Sequence, residues 1–166
     1  YLANSTGALK LATETSGIAI TIGHSTSETT VADNLTVTGN GTISGTSTFT
    51  GLVTASTSAN ITQVALTSAS SVSWDAKAAA NAFLLLGHNV TFAAPSNAVE
   101  GAIISVEIAQ PSSGGPYTVA WNTVFEFAAS TAPTMTATAS KTDIFSFRYN
   151  GSVWQEIGRV QNMAQT

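Results

Sequence analysis

A six-residue repeat constrains the fold of this chain more than any other feature of its sequence. Residues 37–42, 43–48 and 49–54 share one pattern: a large apolar residue, a hydroxyl residue, glycine, two variable residues and threonine. The glycines predict a chain that turns once in each repeat through a conformation that glycine adopts easily. A flexible Gly/Thr linker is the alternative interpretation, but a linker has no reason to keep its apolar residues in phase.

The repeats are not expected to be stable as a single chain. Ordering six residues costs on the order of 6–12 kcal/mol of backbone entropy, whereas burying one apolar side chain recovers about 1.5–3 kcal/mol. Several copies wound around an axis would meet this deficit, provided that like charges are absent where the copies touch. Residues 34–74 contain no charged residue. We therefore predict a parallel homotrimer with Val37, Ile43 and Phe49 at or near its axis.

Composition argues against several functional classes. Charged residues make up 8% of the chain, against roughly 25% in ordinary soluble proteins, and the scattered basic residues disfavour nucleic-acid binding. No apolar run approaches the roughly 20 residues of a membrane helix. Cysteine is absent, and His24 and His88 lie in different halves, so we predict no metal and no other cofactor. Because the chain starts at Tyr1 without a signal segment, we expect it to be an excised piece of a longer chain.

Aromatic residues divide the chain into two parts. Only Tyr1 and Phe49 precede Trp74, and all the other aromatic residues lie between Trp74 and Trp154. A packed core needs large side chains. We therefore predict an extended stalk over residues 1–59, intertwined as a trimeric β-helix-like structure, and a compact domain over residues 60–166.

The second part has the pattern of many short strands. The hydrophobic pattern and the turn residues predict strands over residues 61–67, 71–74, 101–110, 117–121, 124–127, 144–149 and 153–157, with two more on either side of a turn at 87–89. Asn150-Gly151 is the strongest hairpin signal. The alanine-rich residues 76–83 have helix propensity, but we predict a strand there. Eight or nine short strands indicate an all-β domain, a jelly-roll-like antiparallel β-sandwich.

Both parts resemble bacteriophage tail fibres. Residues 34–51, preceded by the Ile20–His24 segment, are similar to the stalk repeats of tail fibres and related virion proteins, in which three chains intertwine as a β-helical shaft. Residues 73–75, 89–95, 119–121, 131–134 and 142–154 resemble, in order and spacing, the β-sandwich modules that end many phage fibres. The resemblance implies a homotrimeric virion appendage that contacts other virion proteins and whose tip attaches to the host.

We therefore interpret the chain as a structural virion protein, part of a phage tail fibre that contributes to host attachment. A trimeric capsid-decoration protein on the capsid surface would share the sandwich and is one alternative. A polysaccharide-cleaving tailspike is the enzymatic alternative. It requires two carboxylates flanking a cleft, and nothing in the sequence selects a partner for Glu126 among Glu100, Glu107 and Asp143. We predict no enzymatic activity.

The predicted receptor contact lies in loops of the second part. The loop of residues 111–116 contains Ser112, Ser113 and two glycines, and leads to Tyr117, while Asn122 follows Trp121 at the next turn. Sugars are commonly bound by an aromatic face together with hydroxyl and amide groups. We predict that Ser112, Ser113, Tyr117 and Asn122 contact a host surface glycan. The alternative is that Tyr117 packs inside the domain and the loop only connects two strands.

Overall fold

The computed structural model describes residue 22 and residues 29–165. The chain divides into two units, Tyr1–Val53 and Thr54–Thr166. In the described residues, regular structure is almost entirely β, with a single short 3-10 helix, and the all-β prediction is confirmed. Ile20 and His24, which the predicted stalk includes, lie outside the described residues.

All the strands of the described residues lie in the second unit. They are β1 (Gln63–Ala65), β2 (Ser71–Val72), β3 (Asn81–Leu85), β4 (Val90–Phe92), β5 (Ile103–Ala109), β6 (Val119–Trp121), β7 (Phe125–Glu126), β8 (Lys141–Tyr149) and β9 (Trp154–Ala164), with the 3-10 helix at Ala128–Ser130. Their positions confirm most of the predicted strands and the loop between β5 and β6.

The chain passes back and forth between two sheets. One sheet has the strand order β1-β3-β5-β8-β9-β7, and the other has the order β2-β4-β6. Strands β1 to β6 therefore belong alternately to the two sheets, so that β1–β2, β3–β4 and β5–β6 form successive turns of a coil. Gln63 of β1 pairs with Asn81 of β3, eighteen residues further on, and that separation is the length of the first turn.

The prediction of an antiparallel jelly-roll sandwich is corrected by the strand directions. Among the described strands, β1–β3, β3–β5, β2–β4, β4–β6 and β7–β9 pair in parallel, and the antiparallel pairs are β5–β8 and β8–β9. A strand that returns to its sheet after a full turn keeps its direction, whereas jelly-roll strands are antiparallel. The fold is a mixed two-sheet structure.

Two local predictions are confirmed in atomic detail. In β5, Ile104, Val106 and Ile108 are buried and the alternate residue Ile103 is exposed, as the period of two requires. At the hairpin between β8 and β9, Gly151 has a φ of 95°, which glycine adopts without steric cost.

The strand predicted over residues 76–83 is wrong in its first half. Asp75 Oδ1 accepts hydrogen bonds from the backbone N–H groups of Lys77 and Ala78 at 2.9 and 3.3 Å, which closes a turn of the kind that aspartate favours. The backbone N–H of Ala79 donates to the Asp75 carbonyl at 2.9 Å. Strand β3 therefore begins only at Asn81.

Aromatic side chains join the two sheets into one core. Phe92 of β4 stacks on Trp121 of β6, with ring centroids 4.7 Å apart and planes 10° apart. Trp121 in turn meets Phe145 and Phe147 of β8 at 5.2 and 5.5 Å. Each such pair adds about 0.5–1.5 kcal/mol to the stabilisation from burial. The large side chains that distinguish the second part of the sequence thus form its core.

In the repeat segment the chain bends at regular intervals. Bends occur at residues 32–33, 38–39, 45, 50–51 and 56–57, a spacing of about six residues that matches the sequence repeat. The bends extend the repeat by one unit in each direction, and they place Val31 in phase with Val37. Residues 29–62 contain no strand and no helix.

The conformation predicted for the repeat glycines is wrong. Gly39, Gly45 and Gly51 do not have a positive φ. Apart from the glycine itself and its two chain neighbours, no atom of the described residues lies within 4 Å of where each Cβ would be. Asp33 and Thr57 occupy the equivalent bends, also without a positive φ. The bend therefore does not itself require glycine.

Candidate functional site

A groove of about 570 Å³ lies beside the turn that joins β6 to β7. We call it the aromatic groove. Its lining combines three aromatic rings with an amide, a carboxylate and two hydroxyl groups, from Trp121, Phe125, Phe127, Asn122, Glu126, Thr123 and Ser130. These residues are near neighbours in the sequence. They surround one groove because the chain turns at Asn122 and again at the 3-10 helix.

Asn122 builds the turn at the start of the groove. Its side-chain Oδ1 accepts the backbone N–H of Val124 at 3.0 Å, and its carbonyl accepts the N–H of Phe125 at 3.0 Å. Its own backbone N–H donates to the Phe92 carbonyl at 3.0 Å, which ties the turn to β4. Because the turn uses the amide oxygen, the amide nitrogen is the part of this side chain suited to donate to a ligand.

Backbone strain occurs on the other side of the groove. Ala129 and Ser130 have φ values of 53° and 54°, in the left-handed region that residues with a Cβ seldom occupy. Each such residue costs of order 1–3 kcal/mol, and these conformations concentrate at ligand-binding and other functional sites. Both residues line the groove in this conformation.

Trp121 carries a second unfavourable feature. Its ring meets Phe125 and Phe127 edge to face, with centroids 5.1 and 5.5 Å away. The indole Nε1 is buried, and within the described part of the chain it has no hydrogen-bond acceptor. A buried donor without an acceptor costs about 1–3 kcal/mol. Strain and an unsatisfied donor therefore occur together in the lining of this groove.

The lining of the groove suits a sugar. Glu126 is exposed, and its Oε2 accepts a hydrogen bond from Gln155 Nε2 at 3.3 Å. Aromatic faces bind the C–H side of a sugar ring, and amide, hydroxyl and carboxylate groups bind its hydroxyls. Hydrolysis of a glycosidic bond uses a pair of carboxyl groups, and the groove lining contains one.

The predicted receptor-contact residues lie in different surroundings. Asn122 lines the aromatic groove. Ser112 and Ser113 lie exposed in the β5–β6 loop and are not part of the groove lining. Tyr117 is half-buried and packs against the core, which is the alternative that the sequence left open for it.

Trp121, Phe127 and Ser130 were not among the predicted contacts. Residues 125–127 alternate aromatic and polar side chains, and Trp121 and Asn122 form another aromatic–polar pair; this is the signal by which the groove could have been found. The same alternation also predicts a half-buried strand, so the sequence alone did not distinguish core from groove.

Gln110 anchors the predicted contact loop. Its side chain is buried, and Nε2 donates to the carbonyls of Tyr117 and Thr136 at 2.8 and 3.0 Å, while Oε1 accepts the N–H of Tyr117 at 2.9 Å. These bonds fix the end of the loop to the start of the segment that leads to β8.

Gln110→Ala is expected to lower the free energy of unfolding by about 2–4 kcal/mol, because it leaves three backbone groups without partners. Denaturant titration followed by tryptophan fluorescence would measure the change. Gln63→Ala is the control, since Gln63 is exposed and its side chain donates to Glu107. A change below about 0.5 kcal/mol is expected for the control, and equal losses in the two variants would contradict the anchoring role.

The predicted axis residues of the stalk share one environment. Val31, Val37, Ile43, Phe49 and Ile61 occupy the same position of the six-residue repeat, and 50–68% of each is exposed. Leu35, Leu52 and Val53, which are out of phase, are exposed as well, so it is the spacing of the in-phase residues that distinguishes them.

The described residues offer no arrangement typical of a metal centre. In residues 22 and 29–165, no group of three or more histidine, aspartate or glutamate side chains is placed to hold a metal ion. His88 is half-buried in the turn between β3 and β4, and His24 lies outside the described residues. No helix in this part of the chain is long and apolar enough to cross a membrane.

Comparison with known proteins finds no family model that matches the chain and no curated protein similar to it. The features that point to a function are therefore the repeat segment and the aromatic groove.

Proposed function

We propose that this chain is a structural virion protein, a segment of a trimeric bacteriophage tail fibre that contributes to host-cell attachment. One observation carries the proposal: among the described residues, nothing pairs with the backbone of the repeat segment or covers its apolar side chains. Its in-phase apolar residues are exposed, and residues 29–60 neither donate nor accept a backbone hydrogen bond among the described residues. Such a segment becomes ordered when another chain pairs with its backbone and covers its apolar residues.

Another turn of the same chain's coil is a poor partner for the repeats. The first turn of the coil is eighteen residues long, which equals three repeats. Val64 and Leu66 of that turn pack against the core, but the residues eighteen positions earlier are Thr46 and Thr48. A preceding turn in the same register would direct hydroxyl groups into the core, so the repeats do not continue the coil.

Parallel copies of the same chain fit the repeats better. In-register copies place identical residues side by side, and residues 34–74 have no charge to repel. The glycines leave open space at three bends, where a neighbouring backbone can approach closely. These features support an intertwined, β-helix-like trimeric stalk with Val37, Ile43 and Phe49 toward its axis.

The aromatic groove is the surface that we assign to host attachment, with a bacterial surface glycan as its ligand. A trimer presents three copies of the groove, so modest affinity at each is multiplied by avidity. The proposal does not include glycoside hydrolysis, because the groove supplies one carboxylate where that reaction uses two.

A conservative substitution tests the groove. Asn122→Asp keeps the side-chain oxygen that the turn requires and removes the amide N–H groups that would donate to a sugar. We expect binding to an array of bacterial O-antigen and capsular oligosaccharides to fall about tenfold or more, because a lost donor and an added charge both oppose it.

Asn89→Asp is the matched control for that experiment. Asn89 Oδ1 accepts the backbone N–H of Thr118 at 2.9 Å, so this substitution makes the same chemical change at another turn. Equal binding by the two variants would exclude the groove. Loss of binding in a Ser112→Ala, Ser113→Ala double variant alone would move the site to the β5–β6 loop.

Gold-labelled antibodies against the chain locate it on virions by electron microscopy. The proposal expects label on the tail. Label over the head would favour the capsid-decoration alternative and would overturn the tail-fibre assignment.

A further inference from the structure

The six-stranded sheet has one face that the core does not cover. Residues paired across adjacent strands point to the same side of a sheet. Phe83 pairs with Glu107, Glu107 with Ile144, and Ile144 with Val160, and this row faces away from the buried Ile104, Val106 and Ile108. We call this side the outer face; its apolar members are Phe83, Leu85, Ile103, Ile144, Val160 and Met163.

Several apolar side chains on the outer face are exposed. Leu85, Ile103 and Val160 are 50%, 60% and 57% exposed. Phe83, Leu85 and Met163 also line a shallow hollow of about 410 Å³ on this side. Leu85 and Val160 lie in adjacent rows of this face, and apolar residues grouped on one face mark a protein interaction site more often than scattered ones do.

The charges on the outer face are few and balanced. Glu107 accepts a hydrogen bond from Gln63 Nε2 at 3.0 Å, and Arg148 donates to Gln155 Oε1 at 3.3 Å. One carboxylate and one guanidinium on the same face can each pair with the opposite charge on a neighbouring copy. A strongly charged partner would find no excess of opposite charge on this face.

The first residues of the compact unit also reach the six-stranded sheet. Ile61, which is in phase with the repeats, accepts a hydrogen bond at its carbonyl from Asn81 Nδ2 at 3.1 Å. Asn81 pairs with Gln63 and Ser105 in the neighbouring row of the same sheet. Six residues, 55–60, separate the last repeat from Ile61, so copies that are joined through their repeats keep their compact units near one another.

We infer that the outer face of the six-stranded sheet packs against a second copy of this chain. The inference rests on the proposed trimer and extends its contact from the stalk into the compact unit. The interface is then apolar at its centre, with Glu107 and Arg148 available to pair between copies.

Single cysteines test this contact, because the chain has none of its own. Leu85→Cys and Val160→Cys place a thiol on the outer face, and Val99→Cys places one on an exposed site of the β4–β5 loop, where Val99 is 68% exposed. The three full-length variants are treated with N-ethylmaleimide, and their mass is measured by light scattering. Labelling in guanidinium chloride gives the reaction rate of each thiol in the unfolded chain.

Both outer-face thiols are expected to react about tenfold or more slowly than the thiol at position 99, since a covered thiol is shielded from the reagent. Dissociation of the outer-face variants alone would also support the contact. Equal rates in a protein that scatters as a trimer would overturn the inference and leave the trimeric stalk intact. A monomeric wild-type protein would overturn both.

Discussion

Ile43→Asp is expected to prevent assembly of the chain. The wild-type protein should scatter light as three times 16.9 kDa, and the variant as a single chain, because a trimer would bring three carboxylates together where no charge is compensated. Ile43 is 68% exposed in one chain, so the same substitution would have little effect on a monomer. The large effect therefore arises only if copies associate through this residue.

Val99→Asp is the matched control for this prediction. Val99 has the same exposed fraction as Ile43, 68%, and lies in the compact unit rather than in the repeats. We expect this variant to remain a trimer, and Ile43→Val to do the same. A trimer that survives Ile43→Asp would contradict the placement of Ile43 at the axis, and a monomeric wild type would contradict the stalk.

Asp143→Ala is expected to lower the free energy of unfolding by at least about 3 kcal/mol, because it removes a buried carboxylate that accepts several hydrogen bonds. Asp143 is 1% exposed. Its carboxylate accepts the backbone N–H and hydroxyl of Thr136 at 2.8 and 2.7 Å, the N–H of Asn162 at 2.9 Å and Gln161 Nε2 at 3.1 Å. Denaturant unfolding at pH 7 measures the loss. Glu100→Ala, at an exposed carboxylate, should change stability by less than about 0.5 kcal/mol.

The same carboxylate predicts a dependence on pH. Burial disfavours its ionised form, but the hydrogen bonds from Thr136, Asn162 and Gln161 outweigh burial and hold the pKa of Asp143 below its ordinary value of 3.8. Its ionised form therefore contributes full stability above about pH 3.8, and this contribution is lost as the pH falls through the lower folded-state pKa. Asp143→Asn should abolish this part of the acid sensitivity. An unchanged acid profile would show that other groups cause it.

Local sequence patterns predicted where the strands lie, because a strand's period of two and its turn residues act over a few neighbouring positions. The alternation in β5 and the Asn150-Gly151 turn required no knowledge of the rest of the chain. The error at residues 76–78 is also local: Asp75 offered a side-chain acceptor that competed with strand formation.

The direction of strand pairing was not available from these patterns. A buried strand has the same alternation whether its neighbour is parallel or antiparallel, and the choice depends on the path of the intervening chain. Here β2 and β4 cross to the second sheet, so that β3 and β5 return parallel to β1. The groove was hidden for a related reason, since Trp121 and Phe127 have the pattern of core residues.

The sequence by itself determined the six-residue repeat, its lack of charge and the all-β class of the chain, because each depends on residue type and spacing. Only the tertiary structure decided that the strands form a two-sheet coil, that Asn122 and Ser130 line one groove, and that Phe83, Ile144 and Val160 share an uncovered face. The strand order and the shared face are relations between residues far apart along the chain, and the groove depends on two turns within residues 121–130. They arise from backbone pairing and core packing, which join residues that no local period relates.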